Sequence, residues 1–407
     1  MDIFTTIALW LRSILGAGGL NLAEWFVDLI MAIIRAGVLG TFGLLTFMVL
    51  TWVERKLIGR MQDRLGPTYH GPGGILIPIA DGIKMITKED TVPAGADKWV
   101  FNLAPILTAA AALIVFAVIP MGPDTGGGAL VGTRLNIGLF YILAAGAAGI
   151  VAVIMAGWGS NNKFALLGAF RAVAQLISYE VPQMLSLVAV VMLAGTMDMV
   201  DLVHVQSIPF ILPLFVTALI FFISGVAETG RSPFDLLEAE SEIVAGFHIE
   251  YSAMKFSMIF LAEFVHAFAV GAVFVTLFLN GWNGPIPGLG FIWFLLKGGF
   301  MFFIMIWLRG TLPRFRIDQL MAFNWKFLVP LSLANLLMLM VGDRVLRDTL
   351  GWSATNNPWA WGLTLFAANL ILLVVSLGIL SRAGRSARRR EELRMAARRE
   401  AVAVAGR

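Results

Sequence analysis

Apolar residues in this chain run in long blocks, and charged residues fall almost entirely between the blocks. A bilayer core takes about 20 apolar residues of helix. On that measure the chain predicts nine spans, over residues 25–53, 98–120, 136–158, 179–197, 209–227, 256–279, 290–308, 327–343 and 360–381. The first exceeds a perpendicular crossing, so it tilts or begins outside the membrane. A different pattern governs ILIPIADGIKMITKE, where Leu76, Ile79, Ile83 and Ile86 share one face while Asp81, Lys84 and Lys88 share the other. It predicts an amphipathic helix in the membrane interface, serving either as a surface anchor or as the wall of a lipid-facing portal. No internal repeat suggests an inverted-repeat transporter. The expected fold is an all-α polytopic membrane protein: one helical domain over residues 1–381 and a basic tail over 382–407.

Lysine and arginine orient these spans, because cytoplasmic loops retain positive charge. With the N-terminus outside, the loops 54–97, 159–178, 228–255 and 309–326 and the C-terminal tail face the cytoplasm. Counting Lys98 with the loop it borders, they hold 24 of the 30 Lys and Arg, leaving Arg12, Arg134, Arg344 and Arg347 outside and Arg35 and Lys297 within spans. The tail has nine arginines. It is read as a topology determinant on anionic lipid or, second, as a partner site. Without interleaved aromatics on this short appendage, nucleic acid is not an expected partner.

Composition narrows the chemistry. Of 407 residues, 58% are hydrophobic and 14% charged, against roughly 25% charged in soluble domains. The opening residues lack the positive n-region of a cleaved signal peptide. The absence of cysteine excludes disulfides and thiolate-bound clusters, and the four histidines show no metal-ligand spacing. If the chain takes part in redox chemistry, the electron carriers sit elsewhere.

Acid is concentrated in one place. VAETGRSPFDLLEAESEIVAGFHIEY places Glu228, Asp235, Glu238, Glu240, Glu242 and Glu250 between two apolar runs. On a helix, Asp235, Glu238 and Glu242 share a face. Like charges this close resist full ionisation where water is scarce, which suits a proton relay; the alternative is a solvated acidic loop. Glu263 lies about two turns into the sixth span, three residues before His266 on the same face. An intramembrane carboxylate marks a functional site by default, although a satisfied Glu–His pair would also explain it. Glu180 is expected where the fourth span begins, just before Pro182, where the helix dipole alone could favour it. Lys297 either snorkels or joins a relay, and Arg35 snorkels. Arg309, Arg314 and Arg316 form a cytoplasmic collar with Asp318, set by topology or used to dock a hydrophilic partner.

Five stretches, ERK…GRMQDRLGP, ADGIKMITKE, NKFALLGAFRAVAQLISYEVP, AETGRSPFDLLEAESEIVAGFHIEY and RGTLPRFRIDQLM, occur in this order. Together they resemble the H-subunit family of bacterial NADH-quinone oxidoreductase (respiratory complex I), called subunit 1 in mitochondria, over about residues 25–345. The resemblance implies a membrane subunit that encloses much of a quinone chamber, opens a portal to lipid, and couples quinone reduction to proton pumping. Glu54, Arg55, Arg64, Asp81, Lys84, Arg231 and Phe234 would line the chamber or its entrance. Glu180, Glu228 and Glu263 would begin a carboxylate chain toward antiporter-like subunits, with Asp235, Glu238, Glu240 and Glu242 beside the chamber. The resemblance further implies ubiquinone or menaquinone as substrate and no cofactor on this chain. NADH, FMN and iron–sulfur clusters would sit on partners, which include the quinone-site and terminal iron–sulfur subunits and small membrane subunits. The expected location is the bacterial inner membrane. Ile77, Gly230, Phe264 and Ile317 depart from the family's usual residues, and the ninth span with its arginine-rich tail exceeds the commonest eight-span pattern. The alternatives are the equivalent subunit of a membrane-bound hydrogenase-type complex and a stand-alone proton or cation transporter.

Overall fold

The computed structural model describes residues 24–123, 130–236, 244–286 and 288–405. Eight of its helices are long and apolar enough to cross a membrane. We number the principal helices α1 (Glu24–Met61), α2 (Ile77–Thr87), α3 (Lys98–Ile114), α4 (Gly138–Gly159), α5 (Lys163–Ala194), α6 (Met199–Val205), α7 (Phe215–Glu228), α8 (Ala253–Phe278), α9 (Gly290–Thr311), α10 (Ile317–Leu350) and α11 (Pro358–Ala405). The expected fifth span is α7, only 14 residues long, or about 21 Å of helix. Turns over residues 209–214 precede it.

Helix α8 is the hub. It packs against α1, α2, α3, α6, α7 and α9, and 72% of its most apolar stretch is buried, against 11% for α11. On α1, Leu29, Ile33, Leu45 and Val49 are exposed, as is the α2 face bearing Ile79, Ile83 and Ile86. Both suit a hydrocarbon surround, and α2 is the expected amphipathic helix.

Two prolines inside spans leave carbonyls that other elements take up. Proline has no N–H, so the carbonyl four residues earlier loses its helical partner. Pro105 frees the carbonyl of Phe101, which accepts from the Tyr251 hydroxyl at 3.2 Å while the two rings stack at 4.1 Å. Burial raises the Tyr251 pKa, so its hydroxyl stays a donor. Pro182 frees the carbonyl of Ser178, which accepts from Asn324 Nδ2 at 2.5 Å. Asn324 opens a π turn in α10, and Tyr179 Oη donates to Leu320 O at 3.2 Å beside it. The expected loop 159–178 is instead the first half of α5, so Glu180 lies mid-helix rather than where a span begins.

The short α7 obtains comparable support from α11. Asn369, fully buried, donates to Pro213 O at 2.9 Å and accepts from Val216 N at 3.4 Å. Asn335 of α10 donates to Thr217 Oγ1 at 2.7 Å. With no water available, such groups must be paired within the protein. N369L should therefore lower the thermal stability of the purified protein, by roughly 1–3 kcal/mol per orphaned group. A melting temperature equal to the parent's would refute this clamp.

Candidate functional site

The loop after α7 is fixed from below by Gln175 of α5. Its Nε2 donates to Ala227 O at 2.7 Å and Phe234 O at 2.8 Å, both buried. This turns Arg231 inward, with its side chain 0% exposed. Arg231 donates through an Nη to Glu54 Oε2 at 2.6 Å, and Glu54 Oε1 accepts from Arg309 of α9. Glu263 Oε1 lies 4.0 Å from Arg231 Nε. The guanidinium also sits 4.7 Å from the ring centre of Phe264 and 5.0 Å from that of Phe302. A buried cation is tolerated only with such compensation. At Phe264, one of the positions that depart from the usual residues, the ring face supplies cation–π attraction.

Glu263 also faces a cavity enclosed by α3, α4, α5, α7 and α8, with a volume of about 160 Å³. Its walls are largely apolar, but Glu180, Gln183, Glu228, Glu263 and His266 line it. At about 10–15 Å³ per water it has room for on the order of ten waters. His266 Nε2 lies 3.3 Å from Glu228 Oε1, and Glu180 is close enough to Glu228 for mutual repulsion. The cavity thus unites the three intramembrane carboxylates singled out from sequence, with one correction. His266 pairs across helices with Glu228, while Glu263 turns toward Arg231.

The remaining candidates fall into separate places. Arg55 donates to Asp81 Oδ2 at 2.7 Å and Lys84 to Asp81 Oδ1 at 3.2 Å, tying α1 to α2. Burial raises the Asp81 pKa, but these two cations outweigh it and hold the carboxyl below its ordinary range. Trp52 Nε1 adds a bond to Gly73 O at 3.2 Å. Arg64 lies beyond α1 and bonds locally to Gln62 at 2.7 Å. Phe234 packs in the core, 5.5 Å from the Tyr179 ring and 6.0 Å from that of Phe315. Asp235 is half-buried in non-helical chain, so it does not sit on the helical face expected for it. Glu238, Glu240 and Glu242 lie outside the described residues. Lys297 donates to the carbonyls of Leu279, Gly281 and Asn283 at 2.7, 2.9 and 2.6 Å. It caps the end of α8 rather than joining the carboxylates.

Sequence reasoning missed Gln175, Gln183, Phe302 and His248 as parts of this region, and placed Arg309 in a cytoplasmic collar. A glutamine inside an apolar helix is itself a signal, since burial obliges it to find partners. His248 lines the cavity, but nothing in its spacing indicated that.

The family model described as NADH dehydrogenase matches residues 34–340. A curated relative, the NADH-quinone oxidoreductase H subunit of Dehalococcoides mccartyi (strain CBDB1), is 48% identical over 317 residues, covering 78% of this chain and 87% of the relative. The chain belongs to the H-subunit family of NADH-quinone oxidoreductase. The H 2 subunit of Syntrophobacter fumaroxidans is 47% identical over 77% of this chain and 96% of its own length. The corresponding protein of Syntrophotalea carbinolica is likewise 47% identical, over 77% and 97%. As a member of the H-subunit family, the protein is a multi-pass membrane subunit of an oxidoreductase complex. Arg231, Glu54, Glu180, Glu228 and Glu263 all fall within the matched region, whereas α11 begins beyond the family model.

Proposed function

We propose that this subunit forms the membrane wall of a quinone chamber in a proton-translocating NADH-quinone oxidoreductase and couples quinone reduction to pumping through buried carboxylates. One observation carries the reading. Arg231 touches Glu54 of α1 and approaches Glu263 of α8, and Glu263 in turn opens into the cavity that holds Glu228, His266 and Glu180. A change of charge beside α1 and α2 therefore acts on Arg231, and through it on the proton affinity of Glu263. The Arg55–Asp81–Lys84 cluster supports a portal between α1 and the interfacial α2, where an apolar quinone tail would enter from lipid. Quinone, as substrate, would be reduced by an iron–sulfur cluster of an adjoining subunit. NADH, FMN and the clusters belong to partners, in keeping with a chain that has no cysteine. Small membrane subunits and antiporter-like subunits would receive the signal. The charge bias supports an N-terminus outside and an arginine-rich tail in the cytoplasm, in what would be a bacterial inner membrane.

Reconstitution tests this. The purified chain alone in liposomes should move no protons, while the assembled complex should acidify the lumen on adding NADH and a quinone. Proton movement by the isolated chain would instead make it a stand-alone transporter.

A further inference from the structure

Among the polar residues that line the cavity, the coupling scheme leaves His248 unused. His248 ends a short turn over Gly246–His248 that is wedged against α5. At Gly168, a Cβ would come within 2.8 Å of the Gly246 backbone. Gly246 itself has φ of +65°, where side chains are strained. The turn is fixed on its far side too. Tyr251 N donates to His248 O at 3.0 Å, the Tyr251 ring stacks on Phe101, and Asn162 donates to Glu250 at 2.6 Å. The imidazole lies 5.2 Å from the Phe247 ring and 5.5 Å from that of Phe256, so its position is set by packing.

Within that fixed setting, His248 Nδ1 is buried and has no hydrogen-bond partner among the described residues. A buried polar atom without a protein partner calls for an ordered water, and the cavity has room for several. Burial lowers the His248 pKa to about 4, so the ring is neutral at working pH and stores no proton.

We propose that His248 Nδ1 hydrogen-bonds a cavity water and so positions the loop-side end of a water chain serving Glu180, Glu228 and Glu263. Protons move between water and carboxylates, each water taking one proton and passing one on, and none resides on the ring. His248 is thus a positioning residue. The inference rests on the coupling role proposed for this cavity.

The test uses the assembled complex with H248F, H248N and E228Q, reading NADH oxidation by ferricyanide and proton pumping driven by NADH and quinone. H248F fills the space without a polar atom and should lower pumping roughly tenfold, the worth of one hydrogen bond, with ferricyanide activity unchanged. H248N keeps a hydrogen-bonding atom near the position of Nδ1 and should stay within about twofold of the parent. Normal pumping by H248F, or equal loss in H248N, overturns the proposal. If E228Q pumps normally, the coupling role of the cavity fails; if E228Q is inactive while H248F is normal, only the role of His248 fails. A density map of the parent complex gives a check independent of folding: a water within about 3.2 Å of Nδ1 supports the inference, and a dry contact there refutes it.

Discussion

E228Q should lower quinone-coupled proton pumping at least roughly tenfold while leaving NADH oxidation by an artificial acceptor unchanged. Glutamine matches glutamate in size, so the walls of the cavity are kept. What it removes is exchangeable charge. Glu228 faces His266 at 3.3 Å across two helices, and buried groups so close titrate as a unit. With an amide at position 228, His266 loses its counter-ion and Glu180 loses a like-charged neighbour. Both changes disable proton exchange at the middle of the cavity. NADH oxidation by the artificial acceptor reports on chemistry elsewhere in the complex and should stay level. Pumping within twofold of the parent would remove Glu228 from any relay.

The second large effect is structural. R231M should destabilise the protein by about 3 kcal/mol, the lower end of the usual cost of breaking a buried ion pair. Methionine fills much of the arginine's space and still packs on Phe264 and Phe302. It takes the guanidinium away from Glu263, whereas Glu54 retains Arg309; that retention argues for the lower end. The double variant R231M/E263Q also removes the carboxylate that faces the guanidinium and should recover at least about 1 kcal/mol as a coupling term. Thermal melts and native-gel assembly of the single and double variants would measure both. An R231M complex that melts like the parent would mean that the guanidinium is not compensated as described.

Span positions were legible because burial in lipid demands long apolar helices whatever their neighbours. The misreadings come from local rules that tertiary contacts override. Lys163 and Arg171 looked like a loop to a hydropathy count and Glu180 like the start of a span, yet all three lie on α5, whose alanine- and leucine-rich sequence favours helix. Glu54 looked like the end of a span, but α1 continues to Met61 and Glu54 is buried. The spacing of Glu263 and His266 correctly put them on one side of a helix. Spacing cannot name a partner on another helix, and both partners turned out to be on other elements. The carbonyls freed by Pro105 and Pro182 could be foreseen from the prolines, since each obliges some donor to arrive. That Tyr251 and Asn324 are those donors is a matter of long-range packing. Glu180, Glu228 and Glu263 were recoverable because a carboxylate in an apolar segment is conspicuous; His248 was not, because its orphaned nitrogen exists only once the turn is folded.

The Lys297 cap bears on how the bundle can deform. Three charge-assisted bonds tie the ammonium on α9 to the carbonyls at the end of α8, and at that end the two rods behave as though riveted. Any adjustment of the gap between Arg231 and Glu263 must then swing from this fulcrum. Its amplitude grows with distance from Lys297 and is greatest where α8 meets the acidic loop.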